Sequence, residues 1–164
     1  MKGKKILFLT LALLLPVIIF IFLKMFGRNE FSVPALYQDG ELTSPENCNF
    51  NYKTPYSIPD TISAQLQLNP KDSLHVIYFE PILNAQLKRV SAEFSSARIQ
   101  IIAPPDLAGI KDIAGLKECI LLMTAEQSVI LIDNHRRIRG YYDASDRDEM
   151  DRLIIELNVI LKRF

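Results

Sequence analysis

Neither sign of charge is in excess: 19 basic residues stand against 19 acidic ones along 164 positions. A nucleic-acid binder is expected to carry a basic surplus, so that class is disfavoured. Cysteine is scarce as well, with Cys48 and Cys119 alone. Neither lies in a C-x-x-C or C-x-x-x-C motif, and no Cys/His group has zinc-ligand spacing. Asn51 is followed by Tyr52 and Lys53, so no glycosylation sequon forms there. For the two cysteines, two readings stand. They pair if the domain lies in an oxidising compartment, or they remain separate thiols, and distance in sequence does not choose between them.

What the chain does have is one long apolar run. Residues 6–26 contain a single charge, Lys24, and 6–23 are interrupted only by Thr10. At ~1.5 Å rise per residue, about 20 residues cross a ~30 Å hydrocarbon core. Pro16 is tolerated in a membrane helix more readily than in a soluble one. A cleaved signal peptide competes with this reading. The run is longer than a usual h-region, however, and Lys24, Met25, Phe26 and Gly27 follow it in place of a small-x-small site. The expectation is therefore a single-pass anchor in the inner (cell) membrane. Lys2, Lys4, Lys5 and the terminal amine outnumber Lys24 and Arg28 on the other flank. That bias puts the N-terminus in the cytoplasm and the remainder in the periplasm. The expected organisation is a cytoplasmic tip and anchor at 1–27, a linker at 28–32 and one domain at 33–164.

Within that domain, 33–43 reads as two short strands around Asp39-Gly40, a hairpin dipeptide. Residues 44–60 are loop-rich, with three prolines. Residues 74–79 (LHVIYF) form the best central strand, apolar on both faces except for His75. Ile82, Leu83, Leu87, Val90 and Phe94 have helical spacing. A second strand at 97–103 ends at Pro104-Pro105. Residues 106–116 suggest a short helix capped by Asp106, and 119–123 (CILLM) are a third apolar run. The end of the chain is clearest. Val129 to Ile132 make a buried strand, and Asp133, Asn134 and His135 a polar turn. Arg137 to Tyr142 return as a strand, and Ser145 with Asp148 gives a capping-box-like start. Met150, Leu153, Ile154, Leu157, Ile160 and Leu161 then fall on one helical face. Alternating strands and helices imply an α/β sheet with helices on both faces.

A β-α-β half followed by a β-β-α half is the thioredoxin-like arrangement. The closing residues LIDNHRRIRGYYDASDRDEMDRLIIELNVIL resemble the C-terminal end of the SCO/SenC family, copper chaperones of cytochrome c oxidase assembly. The family pattern L-[IV]-D-x-x-G-x-I-R-G-Y-Y-D is matched by Leu131, Asp133, Ile138, Arg139, Gly140, Tyr141, Tyr142 and Asp143. Glu149, Asp151, Leu153 and Ile154 match the helix that follows. Val33-Pro34 and Tyr37-Gln38-Asp39-Gly40 resemble the hairpin that opens the family's domain.

The resemblance implies a thioredoxin-like central sheet flanked by helices, with an N-terminal hairpin and one transmembrane helix. It does not bring the family's chemistry. The C-P-x-x-C thiol positions fall on Glu80 and Asn84 around Pro81, and the histidine ligand falls on Ala125. Soft thiolates hold Cu(I), and a carboxylate with an amide does not replace them. Thiol-disulfide exchange has no nucleophile at that place either. The expected function is a non-catalytic, SCO-like binding or accessory factor in oxidase assembly, with no cofactor. Its partner would be a membrane-embedded or periplasmic protein, an oxidase subunit by family analogy. The alternative is a divergent thiol-disulfide oxidoreductase or copper carrier using Cys48 and Cys119.

Other candidates have plainer accounts beside them. His75 and His135 lack partners at ligand spacing, so each reads as a solvated or hydrogen-bonded histidine. Arg136, Arg137 and Arg139 form a candidate partner-docking patch. The plain alternative pairs them with Asp143, Asp146, Asp148 and Glu149. Glu80 beside Pro81 reads as a loop carboxylate rather than an acid or base.

Overall fold

The computed structural model describes residues 2–26, 32–40, 42, 45, 48–80, 85–95, 98–103, 107 and 109–161. The chain divides into two units, Met1–Phe31 and Ser32–Phe164. The first contains helix α1, Lys2–Phe26, with Pro16 inside it. Its 25 residues make a rod of about 37 Å. By length and composition the stretch Gly3–Met25 is sufficient to cross a membrane.

The second unit is built on a four-stranded mixed sheet in the order β2-β1-β3-β4. Its strands are β1 (Leu74–Tyr78), β2 (Ile99–Ile102), β3 (Val129–Asp133) and β4 (Ile138–Tyr142). β1 runs parallel to β2 and antiparallel to β3, and β3 runs antiparallel to β4. Alternation along the strands divides the core in two. Leu74, Val76, Tyr78, Val129 and Leu131 face helices α3 (Ala85–Glu93) and α5 (Arg147–Leu161). Met150, Leu153, Leu157 and Ile160 from α5 close over them. Burying each such aliphatic chain contributes roughly 2 kcal/mol.

Ile77, Ile130, Ile132 and Ile138 face the other way. Much of their cover is irregular chain: Tyr56, Ile58, Leu107, Leu121 and Met123 pack there. Between these lie α2 (Asp60–Gln65), the single turn α4 (Ile113–Gly115) and a π-helical turn (Leu116–Ile120). The apolar run 119–123 does not extend the sheet. Leu121 N–H donates to Leu116 O and Met123 N–H to Lys117 O. Those long-range helical bonds spend the backbone groups a strand would need. Short apolar runs carry no period of their own to announce this.

The N-terminal hairpin expected at 33–43 is not formed among the described residues, where 33–40 contain a turn but no strand. The segment is tied to the sheet instead: Leu36 N–H donates to Ile138 O at 2.8 Å, and Arg139 Nη1 donates to Val33 O at 2.6 Å. Gln38 Nε2 bridges Leu36 O and Tyr56 O at 2.9 and 3.1 Å. Bonds to β4 and to neighbouring loops thus replace those a second hairpin strand would offer.

Two caps also differ from expectation. Asp106 lies outside the described residues, and the cap of α4 is Asp112, which accepts the Gly115 N–H at 2.8 Å. At α5, Asp146 rather than Ser145 accepts the Asp148 N–H, at 2.8 Å. Ser145 turns back, its hydroxyl donating to Asp143 Oδ1 at 2.8 Å.

Candidate functional site

The sharpest polar feature is Asp133, at the end of β3 and fully buried. Its Oδ1 accepts the N–H groups of His135 and Arg137, both at 2.9 Å. Its Oδ2 accepts Arg137 Nε at 2.8 Å and Arg139 Nε at 2.9 Å. Buried carboxylates persist when paired and fully hydrogen-bonded, and this one is. The β3–β4 register shows how Arg139 reaches it. Leu131 pairs with Gly140 and Ile132 with Ile138, so Arg139 is an extra residue bulged from the ladder. A bulge re-aims a side chain, and here it sends one guanidinium to both Asp133 and Val33 O.

The basic patch is therefore largely paired, though not with the acids expected of it. Arg137 and Arg139 hold Asp133, and Arg136 pairs with Asp60 at the start of α2. Asp143 and Asp146 are engaged at turn and cap, and Glu149 bonds Arg152 at 2.5 Å. The short sequence distance from the arginines to that acidic cluster is not a spatial one, because β4 carries the chain away before α5 begins.

Gly140 and Tyr142 make a second interlocking pair. A Cβ on Gly140 would lie 2.4 Å from Tyr142 Oη, because the tyrosine ring folds back over the glycine. The Tyr142 hydroxyl donates to Glu156 Oε2 at 2.5 Å, with Arg152 stacked 4.7 Å from the ring centroid. Burial, reinforced by the carboxylate, pushes the Tyr142 pKa above the ordinary tyrosine range.

Of the positions that the resemblance aligns with copper ligands, Glu80 follows β1 and Ala125 precedes β3, at one end of the sheet. Phe79 N–H donates to Ser128 O at 2.9 Å, so the residue before Glu80 adjoins the chain just after Ala125. Glu80 is half-buried, its Oε2 accepting the Tyr78 hydroxyl at 3.0 Å. Asn84 and Pro81 lie outside the described residues. Ala125 is exposed and lines a cleft of about 640 Å³ with Tyr37, Leu42, Pro45, Lys117 and Met123. Lys117 Nζ sits 5.4 Å from the centroid of the Phe79 ring, linking this cleft to the end of β1. Among the described lining residues there is no cysteine or histidine. With Lys117 and Glu118 both on its lining, such a cleft is suited to holding an apolar group that carries a polar end.

Cys48 and Cys119 are joined as a disulfide, with Cα atoms 5.3 Å apart. Cys119 belongs to the π-helical turn. Around them, three tyrosines act in concert. The hydroxyls of Tyr52, Tyr56 and Tyr141 donate to the successive carbonyls of Cys119, Ile120 and Leu121, at 2.7, 2.6 and 2.7 Å. These carbonyls follow the last helical bonds and need outside donors. Burial raises the pKa of both Tyr56 and Tyr141, so the hydroxyls stay protonated donors. Tyr141 belongs to the quoted pattern, but nothing in the sequence links it with Tyr52 and Tyr56 to a shared target.

His75, buried in β1, places Nδ1 2.9 Å from Gln100 Oε1. Gln100 Nε2 donates to Gln67 O at 2.9 Å, so the amide oxygen is the acceptor and Nδ1 carries the proton. Burial lowers the His75 pKa, against the upward pull of the Gln100 bond. His135 is exposed in the β3–β4 turn. No group of three or more His, Cys, Asp or Glu able to hold a metal occurs among the described residues.

No protein-family model matches this chain, and neither a curated protein nor a solved structure matches it.

Proposed function

We propose that this chain is a membrane-anchored, thioredoxin-like relative of the SCO/SenC proteins that acts by binding. Its role is as an accessory factor in assembly or maintenance of a respiratory oxidase, without copper or thiol chemistry at the family's site. The observation that carries this reading is the pairing of scaffold and vacancy of chemistry. The sheet order β2-β1-β3-β4, with β1 and β2 parallel and the other pairs antiparallel, is the order a thioredoxin-like chain requires. Within it, Glu80 and Ala125 hold two of the ligand positions at the end of β1 and before β3. The motif that carries the resemblance has a structural account: Asp133, Arg139, Gly140 and Tyr142 lock β3, β4, α5 and the segment at Val33 together. Those residues support a retained scaffold whose chemistry is gone. The oxidase itself rests on the family resemblance, because a fold hosts many functions.

Topology follows from charge and from sulfur. Lys2, Lys4 and Lys5 keep the N-terminus cytoplasmic, and a disulfide persists where the compartment is oxidising. Both support a periplasmic domain. A C-terminal alkaline phosphatase fusion is expected to be active, and activity restricted to a cytoplasmic reporter would reverse the orientation. For the partner, the full chain is isolated by affinity from native membranes. The expected result is co-isolation of haem-bearing oxidase, read from its reduced-minus-oxidised spectrum. Recovery without haem would remove the oxidase assignment.

The second reading, thiol-disulfide exchange through Cys48 and Cys119, is favoured by one observation. Cys119 borders a cleft of about 590 Å³ through which a substrate thiol can approach. Turnover in an insulin-reduction assay by the full chain would establish it over the binding role.

A further inference from the structure

The cleft beside Ala125 is lined from two parts of the chain, Tyr37, Leu42 and Pro45 from one and Lys117, Leu122 and Met123 from the other. Its volume of about 640 Å³ falls among small-molecule sites, which span roughly 300–1,000 Å³. Two lining residues, Tyr37 at φ 56° and Leu122 at φ 55°, have left-handed backbone. Leu122 stands just past the π-helical turn, a helix end where glycine is the usual residue. Here a leucine is held there by its neighbours: Met123 N–H donates to Lys117 O at 2.9 Å, and the Tyr141 hydroxyl to Leu121 O at 2.7 Å. Tyr37 is held likewise, its carbonyl accepting the N–H of the buried Tyr56 at 2.8 Å. Side chains kept at a glycine's conformation gather at ligand sites, and both of these line the cleft.

The polar groups of the lining are not equivalent. Lys117 is half-buried and Glu118 is exposed. The Lys117 ammonium has the Phe79 ring 5.4 Å away and, among the described residues, no acidic partner. A ring face is a partial substitute for a counter-ion. A charge withdrawn from water gains more from an opposite charge than one that stays solvated, so Lys117 and not Glu118 sets the sign of the ligand. Tyr37 supplies a second donor. The single proton of the Tyr141 hydroxyl goes to Leu121 O, which leaves the Tyr37 hydroxyl with only a 3.4 Å contact to Tyr141 Oη.

We propose that this cleft binds a fatty-acid-like carboxylate, an apolar chain with one anionic end. Lys117 and Tyr37 take the carboxylate, and Leu42, Pro45, Leu122 and Met123 take the chain. A monoanion matches one unpaired cation with a carboxylate close by on the rim, whereas a phosphate monoester brings close to two charges. The inference concerns a small-molecule site and stands whether or not an oxidase is the partner.

The test is calorimetric titration of the full chain, in nanodiscs of zwitterionic phospholipid, with octanoate, octan-1-ol and octyltrimethylammonium, empty nanodiscs being subtracted. Expected is saturable binding of one octanoate per chain, with octan-1-ol about tenfold weaker for want of the charge-assisted bond. Lys117→Met, which keeps the apolar stem, is expected to lower octanoate affinity about tenfold and to leave that for octan-1-ol unchanged, which also shows that the variant is folded. Glu118→Gln is expected to raise octanoate affinity about twofold. Absence of saturable octanoate binding overturns the proposal. So does equal affinity for octanoate and octan-1-ol, tighter binding of the cation, or octanoate affinity unchanged in Lys117→Met.

Discussion

Replacing Arg139 by alanine removes one of two guanidinium groups from a carboxylate with no access to water. Asp133 is 0% exposed, and the Arg139 side chain is 12% exposed against 33% for Arg137. Breaking a buried ion pair by removing one partner costs about 3–5 kcal/mol, because the remaining charge stays buried. Asp133 keeps Arg137 and two backbone N–H groups in the variant, which places the loss near the lower bound, about 3 kcal/mol. The Val33 carbonyl loses its donor as well. Arg137→Ala removes the more exposed partner and is expected to cost only about 1 kcal/mol. The gap of about 2 kcal/mol corresponds to roughly a 30-fold difference in the folded-to-unfolded ratio.

Urea unfolding of the full chain in mild detergent, followed by tyrosine near-ultraviolet circular dichroism, measures this gap. The sequence has no tryptophan, and its six tyrosines all lie beyond residue 32. The signal therefore reports the second unit and not the anchor helix. Equal losses for the two variants, or a loss below about 1 kcal/mol for Arg139→Ala, would refute the clamp.

Gly140→Ala places a methyl 2.4 Å from Tyr142 Oη; displacing that buried ring is expected to lower stability by about 1–3 kcal/mol in the same assay. Arg136 has φ 62° and its ion-pair partner Asp60 is 86% exposed. Arg136→Gly is therefore expected to raise stability by up to about 1 kcal/mol, relief of the left-handed backbone exceeding the loss of a surface pair. Burial lowers the His75 pKa in the fold, whereas the unfolded chain takes up a proton below about pH 6.5. Stability is then fully present above that pH and declines as pH falls, by at most about 1.4 kcal/mol per unit. His75→Asn is expected to flatten this decline in urea titrations between pH 7 and 5, and an unchanged slope would remove His75 as its source.

The four strands and the last helix were legible because each is encoded within a single segment, β1 and β3 as β-rich apolar runs and α5 by its helical period. In β1, Leu74, Val76 and Tyr78 alternate with His75 and Ile77, and both sets are buried. The cover of the second face was less legible, since Tyr56, Ile58, Leu121 and Met123 are fixed by contacts distant in sequence and not by a repeat. The pairing of Cys48 with Cys119, 71 positions apart, is of the same kind. Arg139 shows the limit most sharply. In sequence it is one of three arginines near an acidic cluster; only the bulge in β4 turns it toward Asp133. Arg136, at φ 62°, takes the left-handed backbone of the β3–β4 turn, a requirement its side chain does not announce. At the site itself, Glu80 and Ala125 were expectations of the resemblance alone, and the cleft beside Ala125 brings Tyr37, Leu42 and Pro45 to residues 114–125, which no local pattern connects.

The proposed likeness to the SCO/SenC scaffold without its metal chemistry is checked by Cu(I) titration of the disulfide-intact full chain against a chromogenic Cu(I) chelator. The chelator is expected to keep its copper throughout, because neither Glu80 nor Ala125 offers a thiolate or an imidazole. Withdrawal of one Cu(I) per chain from the chelator would overturn the proposal.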